Sequence, residues 1–425
     1  MDRRTFLQGA SGAAAFPVFH NDGLSRILAA GAQAAGRSAE SLAADEDYWF
    51  EVQSAFNTDR SIINLNNGTL CPAPQIVEEA LRRYDEYLNL SPAHNQNVLR
   101  PQLETIRQRL AANFGCDAEE LAITRNTCEA LETCQLGLDL KRGDEVLITD
   151  QDYPRMLATW RQRVRRDGIV LKELAFDVPP RDWDDLYQMF EAAVTPRTRV
   201  IHFCHSTFYT GQIFPVKKIC QMARSRGIQT IVDGGHAFAQ FPFKRDDLDC
   251  DYYGTSLHKW LLAACGAGFL YVRKDKIADL WPLMGAPAEM QNNIRKFEEI
   301  GTHPVTIKLA IGQALTFHEG IGVERKAARL RYLRDRWAHR LAESPRVKIL
   351  HSPDPRQSCG IGFVSIEGLD PGKLAAFLMA KYRIYVPAMT HTKFSGLRVT
   401  PNIYSTVQEI DTFSAAVEGA TKTGV

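Results

Sequence analysis

Two short stretches hold the residue types best suited to chemistry, Ile231-Val-Asp-Gly-Gly-His-Ala237 and Gly254-Thr-Ser-Leu-His-Lys-Trp-Leu261. In the first, an apolar run reaches an acid and, three residues on, a histidine. In the second, a short apolar run ends on a lysine flanked by His258 and Trp260. A lysine amine condenses with an aldehyde to a Schiff base, and a carboxylate keeps a pyridine nitrogen protonated as an electron sink. Together they are the donors that a pyridoxal 5'-phosphate (PLP) site needs. Lys259 and Asp233 are therefore the candidate catalytic pair. Ser256 and His258, three residues and one residue before the lysine, are spaced to donate to the cofactor phosphate. A lysine after an apolar strand is on its own an ordinary solvated strand end; the Asp-x-x-His pair upstream gives Lys259 its chemical reading.

Strands and helices must bring these residues together. Leu121-Ala-Ile-Thr124 reads as a strand that feeds Arg125-Asn-Thr-Cys-Glu-Ala-Leu131, the opening of a helix. Such a junction presents unpaired N–H groups to an anion. Asp144-Glu-Val-Leu-Ile-Thr149 is the next strand, followed by Asp152-Tyr-Pro-Arg155, and Arg199-Val-Ile-His-Phe-Cys204 leads into His205-Ser-Thr-Phe-Tyr-Thr-Gly211. The helix 216–226 then precedes the strand that ends on Asp233, and Gly266-Ala-Gly-Phe-Leu-Tyr-Val272 follows the lysine. This alternation predicts an α/β fold with a doubly wound, mostly parallel sheet and ligands beyond its strand ends. A long helix over 305–320 joins a small α/β C-terminal domain, in which Leu397-Arg-Val-Thr-Pro-Asn-Ile-Tyr-Ser-Thr-Val-Gln-Glu-Ile-Asp411 is the last motif.

These motifs, in this order from Asn64 to Asp411, resemble the class V aminotransferase family of fold-type I PLP enzymes, which includes cysteine desulfurases and isopenicillin N epimerases. The His-Lys-Trp-Leu form of the lysine motif is most similar to the epimerase branch. The resemblance implies that Thr127 and Cys128 bind the cofactor phosphate, that Tyr153 stacks on its ring where desulfurases have histidine, and that His236 bonds its phenolic oxygen. It also implies that Arg398 pairs with the substrate α-carboxylate, a task suited to a guanidinium fork, with Asn66, Asn67, Gly68 and His205 near the substrate. Glu298-Glu-Ile-Gly-Thr-His-Pro304 resembles a family segment whose threonine reaches the partner's cofactor, so Thr302 implies a homodimer with a shared active site. Where desulfurases have asparagine three residues before Gly211, this chain has Phe208. No cysteine occurs in 386–397, where desulfurases carry their catalytic thiol.

The chain has 425 residues, 45% of them hydrophobic, with 51 Lys plus Arg against 50 Asp plus Glu. That length buries a large core in two or three domains, and the near-neutral balance without basic runs gives no reason to propose nucleic acid as a partner. No run of 18 apolar residues occurs, so no membrane span is proposed. The nine cysteines lack metal-ligand spacing, and no metal is expected. Asp2-Arg-Arg-Thr-Phe-Leu-Gln8 resembles a twin-arginine export signal, with Ala32-Gln33-Ala34 a cleavage option, so passage through the twin-arginine translocase to the periplasm is expected. Cysteines without a disulfide framework fit a chain that folds, loaded, in a reducing compartment before export.

The chain divides as leader (1–44), a segment packing on the body (45–65), a large PLP-binding domain (66–304), and the interdomain helix with the small C-terminal domain (305–425). The expected activity is PLP-dependent chemistry at Cα of an amino acid or amine-bearing peptide, with transamination preferred. Epimerisation is the alternative, and C–S lysis or desulfuration stands further back. The chain also resembles exported family members that tailor the glutamate end of peptide siderophores, a resemblance that implies a large amine-bearing peptide as a substrate. A PLP-fold binding module without catalysis is the non-enzyme alternative, and intact Lys259, Asp233 and Arg398 speak against it.

Overall fold

A computed structural model gives the fold and describes residues 22–424. The Arg3–Arg4 pair lies outside the described residues. Helices Asp22–Gln33 and Ala39–Ala43 fall within the span read above as leader, yet they belong to the packed body. Ile27 and Leu42 are fully buried, and Ile27 sits against Gly320 of helix Val305–Ile321. Cleavage at Ala32-Gln33-Ala34 would remove Ile27 from that packing. Helix Glu46–Gln53, capped by the Asp45 carboxylate on the Tyr48 amide, buries Tyr48, Trp49 and Val52. The chain then enters a two-residue strand, β1 (Ile63–Asn64).

The large sheet has seven strands: β2 (Leu121–Thr124), β3 (Glu145–Thr149), β4 (Val170–Leu174), β5 (Thr198–Cys204), β6 (Gln229–Asp233), β7 (Tyr252–Ser256) and β8 (Gly268–Val272). Their order is β2-β8-β7-β6-β5-β3-β4. Every neighbouring pair is parallel except those made by β8, which runs antiparallel to both β2 and β7. The doubly wound, mostly parallel sheet expected from the alternation is thus present. Successive residues of a strand face opposite sides, and here both sides are buried. Ile201, Phe203, Val232 and Tyr253 join one apolar layer, whereas Val200, Ile231 and Tyr252 join the other.

Helix Thr127–Gly137 lies across the second face with Ala130, Leu131 and Cys134 inward. Gly254 permits this approach, since a Cβ there would fall 2.7 Å from Leu131 Cδ2 and 2.9 Å from Ala130 Cβ. The close contact brings the N-terminus of that helix to Ser256 at the end of β7.

The chain continues through helices Val305–Ile321 and Val323–Ala342 into β9 (Val347–Ile349), β10 (Gly362–Ile366), β11 (Ile384–Tyr385), β12 (Ala388–Thr390) and β13 (Ser395–Val399). Four of these form an antiparallel sheet in the order β12-β13-β10-β9, covered by helices that bury Trp337, Leu378 and Phe413. β11 pairs instead with β1 in parallel, and Asn66 bridges Thr400. Residues 63–66 are therefore stitched to the C-terminal part of the chain, more than 320 residues away in sequence, and the site lies where this stitch meets the large sheet.

Candidate active site

The carboxyl ends of the parallel strands converge on one cavity of about 330 Å³, lined among others by Thr127, Cys128, Tyr153, Phe208, Asp233, His236, Ser256, His258, Lys259 and Arg398. Most of the residues singled out by sequence line it. β6 delivers Asp233, and β7 delivers Ser256 and, one turn on, Lys259. Lys259 Nζ lies 3.4 Å from His236 Nε2. Burial lowers its ammonium to about 8, opposed by the negative charge of Asp233. Burial likewise raises the Asp233 carboxyl, with the Gly235 amide (2.8 Å) and Lys259 pulling the other way. Such a carboxylate gains most from a cation brought against it. Burial holds His236 far below the ordinary histidine value and His258 at about 4, so both rings are neutral near pH 7.

At the other end of the cavity Asn126 caps helix Thr127–Gly137, its side chain accepting from the Glu129 amide at 2.9 Å. The Thr127 amide donates to Ser256 Oγ (2.9 Å), and the two hydroxyls are 2.7 Å apart. The Cys128 amide lies in the first turn, where a helix has no internal partner for its N–H groups.

These residues fit PLP on three structural grounds. Buried ring nitrogens aimed at no protein partner remain on His236 and His258, both Nδ1. Gly235 leaves the wall open, because a Cβ there would meet Asp233 Oδ1 and Thr127 Oγ1, each at 3.0 Å. The donor set also runs in the required order: hydroxyls and a helix N-terminus for phosphate, lysine for aldehyde, carboxylate for pyridine nitrogen. Among the described residues no cluster of His, Cys, Asp and Glu is suited to a metal.

Arg398, on β13, closes the cavity from the small-domain side. Only 2% exposed, it donates to the Phe208 carbonyl (3.0 Å), Asn66 Oδ1 (2.8 Å) and Thr69 Oγ1 (2.7 Å). Its Nε has no partner, and among the described residues no carboxylate neutralises it. Burial lowers it to about 10, so it stays a cation at neutral pH. Tyr153, exposed at the mouth, meets Phe208 edge-on with ring centroids 5.4 Å apart.

Three residues assigned by sequence lie elsewhere. His205 does not face this cavity. Side chains alternate along β5, so Cys204 and Ser206 line it while His205 turns to the opposite layer and packs on Phe241, Phe243 and Tyr253. Asn67 is fully buried with its amide already spent. Its Nδ2 donates to the carbonyls of Asn64 and Thr400, and its Oδ1 accepts from Asn64 Nδ2 and Tyr404 Oη. It ties the stitch together, and its neighbour Asn66 is the one that holds the arginine. Thr302 is exposed and outside the cavity of its own chain.

Sequence reading did not find Thr69 or the Phe208 carbonyl as supports of Arg398, nor Asp152. Asp152 is fully buried, accepting from the Thr149 amide at 2.9 Å and from the Cys204 thiol at 3.2 Å, and burial pushes it up to about 7. An acid three residues after a strand, beside a residue assigned to the cofactor, was the available signal. Cys128, Cys204 and Cys265 line the cavity; burial pushes the Cys128 thiol to about 11 and the Cys204 thiol well above the ordinary value. β12 and β13 form a tight hairpin whose His391 Nε2 lies 3.2 Å from the Asp150 carbonyl.

Comparison with known proteins gives the same grouping. The family model for aminotransferase class-V matches residues 62–413. The chain is 29% identical over 394 residues to isopenicillin N epimerase of Streptomyces clavuligerus, covering 88% of this chain and 98% of that one. It is 29% identical over 393 residues to the enzyme of the same name from Amycolatopsis lactamdurans, covering 88% and 99%. Among solved structures, the cysteine desulfurase CsdA of Escherichia coli shares the fold with a TM-score of 0.78 at 21% identity, covering 89% of this chain and 99% of that one. The cystine C-S lyase C-DES does so with a TM-score of 0.76 at 23% identity, covering 84% and 97%. With Lys259, Asp233 and an unpaired buried arginine around one cavity, the chain belongs to the class-V aminotransferase family of fold-type I, PLP-dependent enzymes.

Proposed function

We propose that the protein is an aminotransferase acting on the α-amino group of an amino acid or amine-bearing peptide. PLP, when bound, supplies an electron sink for the charge left at Cα. Arg398 holds the substrate carboxylate, and Asp233 keeps its negative charge beside the pyridine nitrogen. Lys259 takes the Cα proton and, on the same face, would give it up not to Cα but to the carbon that had been the cofactor's aldehyde, so that the nitrogen stays with the cofactor and water releases the substrate as a keto acid.

The observation that carries this reading is the placement of Lys259 as the buried amine of the cavity, with its Nζ 3.4 Å from His236 Nε2. Lys259 at about 8 is poised to take and give a proton near neutral pH, whereas the two histidines are held neutral and the Cys128 and Cys204 thiols are pushed up. Inversion at Cα by two groups needs a second proton-carrying side chain on the opposite face, where Tyr153, exposed at the mouth, is the candidate. Epimerisation is the second reading, favoured by the near full-length similarity to two isopenicillin N epimerases.

A single half-reaction in deuterated water with an L-amino acid or an N-terminal glutamyl peptide separates the two. Stoichiometric keto product supports transamination. Deuterium at Cα of the inverted amino acid, without keto product, rules for the epimerase. Two further readings belong to this proposal: a homodimer in which Thr302 serves the partner's cofactor, supported by the exposure of the Gly-Thr segment, and export to the periplasm, supported by the Arg3–Arg4 motif.

A further inference from the structure

A second lysine is buried close to the first. Lys326, in the first turns of helix Val323–Ala342, is fully buried, and its Nζ donates to the carbonyl oxygen of Trp260, the residue after Lys259. Among the described residues no carboxylate pairs with it. Its titratable neighbours are the thiols of Cys71 and Cys359 and the imidazole of His318 on the preceding helix, and burial favours the uncharged form of each. Burial lowers the ammonium to about 7. A cation buried without an anion is costly, and an apolar side chain of the same length would fill the space without that cost. What Lys326 provides must therefore lie in its one contact.

That contact is in the catalytic loop. The chain from Leu257 to Ala263 closes on itself through the Ala263 amide to the Leu257 carbonyl (3.0 Å), and Leu262 takes a left-handed φ of 67°. A leucine in that region costs conformational energy that its surroundings must offset. Two carbonyls flank the Lys259 residue in this loop, those of His258 and Trp260. The His258 carbonyl accepts from the Cys71 amide (3.2 Å), and the Trp260 carbonyl accepts from Lys326. Both donors come from outside the loop. The first bond holds the peptide that joins His258 to Lys259 and the second holds the peptide that joins Trp260 to Leu261, so the backbone is pinned on both sides of Lys259. So is the direction in which its side chain leaves towards His236.

We infer that Lys326 is a positioning residue for Lys259: by holding the Trp260 carbonyl it aims the catalytic side chain, and it ties that loop to the helix that leads into the C-terminal domain. The same helix buries Leu333 and Trp337 in the C-terminal core, so the hydrogen bond joins the two halves of the fold at the lysine. The inference rests on Lys259 as the cofactor-bearing lysine.

The test compares the holoenzyme with Lys326→Met, which keeps length and removes the donor, and Lys326→Gln, which keeps an uncharged donor. Read-outs are the melting temperature, the pH at which the visible band of lysine-bound cofactor titrates, and kcat against KM. Lys326→Met is expected to melt no lower than the parent, to titrate at a displaced pH, and to lose kcat by about 10- to 100-fold at nearly constant KM, the penalty of a misaimed base. Lys326→Gln is expected to recover part of that loss. A Met variant that does not fold, or that loses kcat only in step with its melting temperature, makes Lys326 a structural residue and overturns the inference. A Met variant with the parental band and rate, or a Gln variant no better than Met, overturns it as well. Borohydride trapping on the parent separates the two levels: cofactor found on another lysine sinks the site assignment itself, whereas cofactor on Lys259 with indifferent Lys326 variants sinks only the positioning role.

Discussion

Replacing Arg398 by lysine isolates the carboxylate-binding claim. A guanidinium has five N–H donors. Arg398 spends three of them on the Phe208 carbonyl, Asn66 Oδ1 and Thr69 Oγ1, leaving two, the Nε–H among them, for a substrate carboxylate. Lysine brings one ammonium in place of the fork and must share it between those three acceptors and the substrate. Losing one charge-assisted hydrogen bond costs about 1.5–3 kcal/mol, which is about a 10- to 150-fold fall in kcat/KM for an amino acid. A decarboxylated amine analogue makes no such bond, so its kcat/KM, low from the start, is expected to change by less than about 3-fold. Steady-state kinetics with the paired substrates, on protein of parental melting temperature, measure both numbers. Equal losses for amino acid and amine would refute the assignment, because the arginine would then be supporting the cavity and not the carboxylate.

Other outcomes follow from the same geometry. The folded Lys259 value of about 8 lies below its ordinary 10.5, so the neutral amine becomes available well below the pH of a free lysine. Cofactor capture by the apoprotein should accelerate about tenfold per pH unit below 8 and level off above it; a rise continuing to pH 10 would contradict the burial of this amine. Since the unfolded chain binds the extra proton between these two values, this group's contribution to apoprotein stability is least favourable below 8 and improves as pH rises from 8 to 10.5. Thr302→Val should weaken cofactor retention by about tenfold, equivalent to one hydrogen bond, without lowering the protomer's melting temperature; a monomer that retains cofactor tightly would argue against the shared site. Changing Arg3 and Arg4 together to lysine should leave the protein in the cytoplasm, and an unchanged periplasmic yield would remove the export reading.

The parts of this fold legible in the sequence are those governed by local rules. Asp233 and Ser256 end strands whose neighbours are buried on both faces, and Asn126 with Glu129 three residues on is a readable helix start. His205 was in principle legible too: Phe203 and His205 share a side of β5, and Phe203 belongs to the layer opposite the cavity. The choice between Asn66 and Asn67 was not legible, because it depends on the bridge from Asn66 to Thr400, a pairing set by residues more than 300 positions away. The same holds for Lys326, whose side-chain hydrogen-bond partner among the described residues lies 66 residues upstream. Helix Asp22–Gln33 was hidden for a different reason. Its small-residue composition suits a cleavage region as well as it suits close packing on another helix, and the seating of Ile27 against Gly320 is a contact the sequence does not show.

The central claim is that Lys259 bears the cofactor, and chemical trapping tests it most directly. Borohydride reduction of the holoenzyme, followed by proteolysis and mass spectrometry, should place a single phosphopyridoxyl group on the peptide that contains Lys259. Lys259→Ala, treated in the same way, should carry none and should lack the visible band. The label on Lys326, Lys308 or any other lysine of the parent protein, or an unchanged visible band in Lys259→Ala, would contradict the account.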